Sequence, residues 1–381
     1  MDSKKLIIMV SMVLTAAFLF LSCGGEDVPG EPVGGVSTDT LLIAVVDTIG
    51  LDMGDSLYVF GSLMQAGFLP GGEILALDMQ RGYINVYTPE GSHLGTIGAH
   101  GPGPGEFEIP TSFAVLPDGG VAVTDIVGRD VSFFDSARSY TRVLSGFSFG
   151  PPNNIKGCPD GSMIGQTMTM TFSEETVEGS QDLARWDDLT STEPSHIYSS
   201  FPIDLTVTED QGTSVRTGPT IDYAVGPDGN IAIVETSDTL FSLRLLDPEG
   251  SELMALYEER ERVPMTQEEI DAGALGLSVI ITDGSASAST NRIEDTYPYR
   301  NIISSVGIDA ENQIWIELGY GDRPFFQIFD HSGELLSTVL VDADFDNLNR
   351  PSFVISPAGM LAFDRDPLDY PKIYLLELLS E

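Results

Sequence analysis

Six segments of this 381-residue chain repeat one plan: an apolar strand, a turn rich in Pro, Asp and Gly, and a second strand of apolar side chains. They read GFLPGGEILALD, FAVLPDGGVAVTD, IKGCPDGSMIGQT, YAVGPDGNIAIVE, VGIDAENQIWIEL and FVISPAGMLAFDR. Asp-Gly and Gly-Gly supply the positive φ that tight hairpins need. A third strand, aromatic or apolar and ending in another turn, follows in YINVYTPEG, VSFFDSARS, FSLRLLDPEG and FFQIFDHSG. Each unit therefore predicts an up-and-down antiparallel sheet of about four strands.

The second strands are apolar on both faces. Val121 and Val123 fall on one side with Ala122 on the other, and Ile314 and Ile316 oppose Trp315. A sheet of this kind must be covered twice. Radial stacking does so, because each sheet lies between two neighbours. Six copies of one hairpin speak against a β-sandwich. The expected fold is all-β: a six-bladed β-propeller of four-stranded antiparallel blades, counted from turns near Gly72, Gly119, Gly161, Gly229, Asn312 and Gly359. The last unit, ending at KIYLLELL, offers only three strands. An N-terminal strand, from DTLLIAVVDTIG or SLYVFGSL, is expected to complete it and close the ring, removing an open edge.

GAHGPGPGEFEIP, residues 98–110, is glycine-rich without being a phosphate loop. A nucleotide-binding loop leaves a strand, enters a helix and presents free N–H groups. Here Pro102 and Pro104 lack N–H groups, and strand residues follow Pro110. The stretch reads as a corner in which Gly101, Gly103 and Gly105 permit the turn, proline stiffens it, and Phe107 plugs the gap between blades. LGTIGAHGPGPGEFEIPTSFAVLPDGGVAVTD resembles the six-bladed propellers with NHL-type repeats, which typically carry a Gly-x-Gly-Glu-Phe connector. YPYRNIISSVGIDAENQIWIEL resembles a bacterial six-bladed lipoprotein subfamily of mostly unassigned function. The likeness covers residues 40–378 in plan, is strongest over 83–135, and is poor over 162–201.

Residues 1–22 read as a lipoprotein-type signal peptide: Lys4 and Lys5, an apolar run from Leu6 to Leu21, then Ser22 before Cys23. The run is short for a spanning helix, which wants roughly 20 apolar residues. By resemblance to bacterial lipoprotein signals, Cys23 becomes the lipidated first residue, although Phe20 and Asp2 depart from the usual pattern. An ordinary cleaved signal with an incidental cysteine is the alternative. Gly24 after the cysteine implies, by the same resemblance, the outer membrane or cell surface, with the periplasmic side left open. Residues 23–37, rich in Gly, Pro and acid, read as a tether, and 38–381 as the propeller. Cys158 is then the remaining thiol, read as a small buried hydrophobe.

Net charge is −40, from 58 acidic and 18 basic residues. Nucleic acid is excluded, because its binding rests on basic contacts to phosphate. Docking to anionic lipid head groups is disfavoured too. GFSFG, residues 146–150, matches a nucleophile elbow, but Pro151 and Pro152 oppose the helix that an elbow requires, so Ser148 reads as a strand-end serine. DADFDN places Asp342, Asp344 and Asp346 at the first, third and fifth places of a calcium loop. Asn347 then stands where glycine belongs and Phe353 where the bidentate glutamate belongs, so a solvated acidic loop is the better reading. No cofactor is assigned; calcium is the cation this loop would suit if it held one.

Asp78, Asp125 and Glu235 follow the second strand of their units at one position, a candidate axial metal set like that of lactonase-type propellers. Glu317 and Asp364 fall one residue earlier, and Thr167 replaces the acid in the third unit, so the ring is incomplete. The insertion at 258–300 carries a capping box, Thr266 with Glu269, and then a flexible tip in DGSASAS. It reads equally as a cover for one channel mouth or as a packed connector. No catalytic residue is assigned. The expected function is a monomeric, non-enzymatic binding module at the cell envelope, for a protein, peptide or glycan. The alternative is a metal-dependent hydrolase or lyase in the central channel.

Overall fold

A computed structural model describes residues 40–379 apart from 149, 173–176, 209–211, 218–220, 274, 283–284, 293–297, 322, 344, 346–349 and 365–369. The fold is an all-β propeller. Its first sheet comprises Leu63–Phe68, Ile74–Asp78, Tyr83–Tyr87 and His93–Ile97 in sequence order. The second runs Pro110–Val115, Val121–Asp125, Asp130–Phe134 and Tyr140–Ser145, and the fourth Ile221–Val225, Ile231–Glu235, Leu240–Leu246 and Glu252–Glu259. Each is a four-stranded antiparallel meander. The third sheet has a fifth strand: Asn153–Gly157, Met163–Phe172, Val177–Trp186, His196–Thr208 and Gly212–Thr217.

The turns between first and second strands form for local reasons. Gly72, Gly119, Gly161, Gly229 and Asn312 all have positive φ. Within the turns, Asp118, Asp160 and Asp228 each accept a hydrogen bond from the N–H two residues on, at 2.9–3.0 Å. Between sheets, second-strand side chains fill both faces. Leu75 and Leu77 of the first sheet share a core cluster with Val121 and Val123 of the second, while Ala122 joins Ile155 and Trp186 of the third.

Six separate four-stranded blades are not what forms. The remaining strands make one eight-stranded sheet, in which Ile303–Ile308, Ile314–Leu318, Phe325–Phe329 and Leu335–Asp342 run into Thr40–Ile49, Ile373–Leu379, Gly359–Phe363 and Ser352–Ser356. Thr40–Ile49 pairs antiparallel with Ile373–Leu379 and, along its other edge, parallel with Leu335–Asp342. A strand with partners on both edges leaves no free ladder, and the two four-stranded runs become continuous. DTLLIAVVDTIG therefore supplies this strand, and SLYVFGSL does not.

In the insertion, Thr266 and Glu269 cap the helix Gln267–Gly273 reciprocally, at 2.7 and 3.2 Å. The segment expected as a flexible tip lies mostly within Ser285–Arg292, which pairs along its length with Leu275–Thr282. No helix among the described residues is long and apolar enough to cross a membrane.

Candidate functional site

The first strands of the sheets, Leu63–Phe68, Pro110–Val115, Asn153–Gly157, Ile221–Val225, Ile303–Ile308 and Ser352–Ser356, all contribute to one axial cavity of about 560 Å³. The turns that follow them ring its mouth with Pro70, Pro117, Pro159, Pro227 and Pro357, all exposed. Proline holds φ near −65° and offers no N–H, so this collar is rigid and weakly polar. Inside, the polar side chains of the lining are Gln65, Lys156, Ser356 and the thiol of Cys158. Cys158 is buried, and burial pushes its thiol up to about 11, which leaves little thiolate at neutral pH.

Adjacent sheets are joined near the axis by side chains instead of by a ladder. The Gln65 amide donates to the Phe113 carbonyl (3.0 Å) and accepts from the Phe113 N–H (2.8 Å). Thr124 donates to the Pro152 carbonyl (2.7 Å), and Gln166 to the Ile221 carbonyl (2.6 Å). Lys156 donates to the Tyr223 carbonyl, and Asp222 accepts from the Val306 N–H at 3.3 Å.

The carboxylates proposed for an axial metal face elsewhere. Asp78, fully buried, accepts from the N–H groups of Gly61 (2.7 Å), Ser62 (3.1 Å) and Arg81 (3.2 Å). Asp125 accepts from Glu108 (2.7 Å), Ile109 (3.1 Å), Val127 (3.0 Å) and Gly128 (3.2 Å). Each thus clamps the connector that enters its own sheet. Glu235, half-buried, ends the matching strand of the fourth sheet. Among the described residues no three His, Cys, Asp or Glu side chains converge as a metal site, so the three are not brought together. Asp342 is exposed and pairs with Arg323 at 3.1 Å, while Asp344, Asp346 and Cys23 lie outside the described residues.

In the glycine-rich corner, Gly101 and Gly105 have φ of 151° and 76°. A Cβ on Gly105 would meet Tyr140 at 3.0 Å. Glu106 accepts from the Gly103 N–H at 2.9 Å. Phe107 is fully buried between the first two sheets, edge-on to Phe134 at 5.7 Å. Ser148 is not followed by a helix. It borders a second cavity of about 550 Å³ lined by Arg129, Asn153, Gln166, Thr167 and Gln181, and its carbonyl accepts from Arg129 at 3.2 Å.

Two titratable groups acquire a role only from the structure. Glu317 accepts from the Ser305 hydroxyl at 2.7 Å, and its pKa is pushed up to about 7. Burial is the main cause and Asp222 adds to it, against the Ser305 hydrogen bond and Arg350. Lys156 is the other. The visible signal for it is scarcity, since the chain holds four lysines, Lys4, Lys5, Lys156 and Lys372.

No family model matches the sequence, and no curated protein does. Solved structures match in fold. A member of the DUF4221 family from Bacteroides vulgatus aligns with a TM-score of 0.50 at 10% identity, over 90% of this chain and 100% of that one. A protein of Bacteroides fragilis assigned to export gives 0.47 at 13%, over 89% and 96%. A gluconolactonase from Xanthomonas campestris gives 0.39 at 11%, over 84% and 88%. At such identities the likeness shows the β-propeller fold alone.

Proposed function

We propose that this chain is a non-enzymatic binding module that takes its ligand at the axial mouth. The observation that carries this reading is the cavity itself: open, walled by apolar side chains, and collared by five exposed prolines. A site of that character suits recognition of an apolar group on a protein, peptide or glycan. An enzyme in the channel needs titratable groups converging on one point, whereas Asp78 and Asp125 are engaged by backbone N–H groups. Six first strands around one cavity support counting the eight-stranded sheet as two blades joined at their outer edges, giving a six-bladed ring of the NHL type. The basic and apolar leader supports export and a lipid anchor at Cys23.

Titration with an uncharged apolar fluorophore tests the site. One saturable site per chain is expected, blocked by Val354→Trp or Ala358→Trp, which fill the cavity. A signal unmoved by both plugs, or metal-dependent turnover of an ester or lactone lost in Asp125→Asn, would replace this reading with the enzymatic one. For the anchor, Cys23→Ser should release the protein from membranes in a fractionation. Retention with unchanged mobility would remove the lipid.

A further inference from the structure

Past the leader the chain carries two lysines. Lys372 sits beside Asp52, at 3.1 Å. Lys156 lines the axial cavity instead, on the strand Asn153–Gly157. An ammonium has three N–H donors. One goes to the Tyr223 carbonyl, with the Tyr223 ring centroid 4.8 Å away. Asp222, the acid that acts on it electrostatically, makes no ion pair with it, and its two oxygens accept from the N–H groups of Tyr223 (2.9 Å) and Val306 (3.3 Å). Lys156 thus places a cation at the wall of an apolar cavity, with no carboxylate of the described residues ion-paired to it. A cation in such surroundings is costly unless an anion meets it.

Resting on the cavity as the binding site, we infer that its ligand is an apolar molecule carrying one carboxylate, which pairs with Lys156 while the apolar body packs against Val115, Val225 and Val354. One lysine neutralises one negative charge, so a phosphate dianion would keep an unmatched charge inside apolar walls. The protein's net charge of −40 opposes anions at long range. At physiological salt that field is screened beyond about 8 Å, which leaves the group inside the cavity to decide. Two sources present this chemistry: a free carboxylic acid with an alkyl chain, and the C-terminus of an apolar peptide.

Calorimetric titration of the purified protein with octanoate, octanamide, and trileucine with a free or an amidated end separates them. The acid form of at least one pair should bind about tenfold to a hundredfold tighter than its amide. Preference confined to octanoate points to a free acid, and preference confined to the peptide points to a chain end. Lys156→Gln and Lys156→Met should erase the preference, and Lys156→Arg should retain it. The acid–amide comparison on the unmodified protein stands even where a variant folds poorly. Equal binding of acid and amide at a site blocked by Val354→Trp overturns the carboxylate inference and leaves the cavity as the binding site. Preference that persists in Lys156→Gln overturns it too. No binding by any probe, the uncharged fluorophore included, removes both readings.

Discussion

Asp125 accepts from four backbone N–H groups, two of them 16 and 17 residues upstream. An asparagine turns one acceptor oxygen into a donor that faces these N–H groups. Asp125→Asn should therefore cost about 1–3 kcal/mol, approaching the cost of Asp125→Ala. Urea midpoints measure this, and a midpoint unchanged by Asn would mean that the clamp contributes little. Recurrence of the acid at one place in the repeat was legible in the sequence. Its role was not, because the donors belong to a connector whose path depends on the assembled ring. Glu317 yields a pH prediction. Its folded pKa, about 7, lies above the ordinary glutamate value of 4.5, so the folded state holds a proton that the unfolded state has released. Its stabilising contribution is full below about pH 4.5, falls as pH rises toward 7, and is lost above that, by an amount on the order of 3 kcal/mol. Glu317→Gln should remove this decline, gaining on the parent between pH 4.5 and pH 8. Parallel urea curves at both pH values would refute it.

At the scale of elements, hairpins were the most legible part, because Asp-Gly chemistry acts within four residues. Asn312 (φ 61°) occupies the place of glycine in one turn, and Arg138 (φ 67°) closes another where Gly91, Gly250 and Gly333 serve elsewhere. The links between first strands were illegible, since no sequence pattern pairs Gln65 with Phe113 across 48 residues. Gln65 meets both the donor and the acceptor of one residue on the neighbouring strand, as a further strand would. Gln65→Met should leave both groups unsatisfied and cost about 1–3 kcal/mol. Gln65→Glu should keep the bond from the Phe113 N–H and lose only the donor, falling between parent and Met. Equal midpoints for Gln, Glu and Met would show that water replaces the amide.

At the scale of the whole molecule, closure depends on one strand drawn from the far end of the chain. Ile43 is fully buried with Phe326, Val339, Val341 and Leu376, and Ile49 with Phe60, Leu361 and Ile373. Thr40–Ile49 thus contributes both hydrogen-bond ladders and core to the eight-stranded sheet. A strand completing the last unit could be anticipated from its three-strand deficit. Its second partner could not, because nothing in the repeat marks the outer edge of Leu335–Asp342 as open. Removing residues 38–49 should expose that edge and the edge of Ile373–Leu379, where Leu340, Leu378 and Leu379 are already partly bare. Unpaired edges with apolar side chains associate. Size-exclusion chromatography should show the truncated protein as oligomers or aggregate, with a lowered thermal midpoint. Ile43→Ala, which keeps both ladders but empties the core position, should cost about 2–5 kcal/mol and elute at the parent's volume. A synthetic peptide spanning residues 38–50 should restore the truncated protein to the parent's elution volume by refilling the gap. A truncated protein that keeps the parent's elution volume and midpoint would show that the ring closes without this strand.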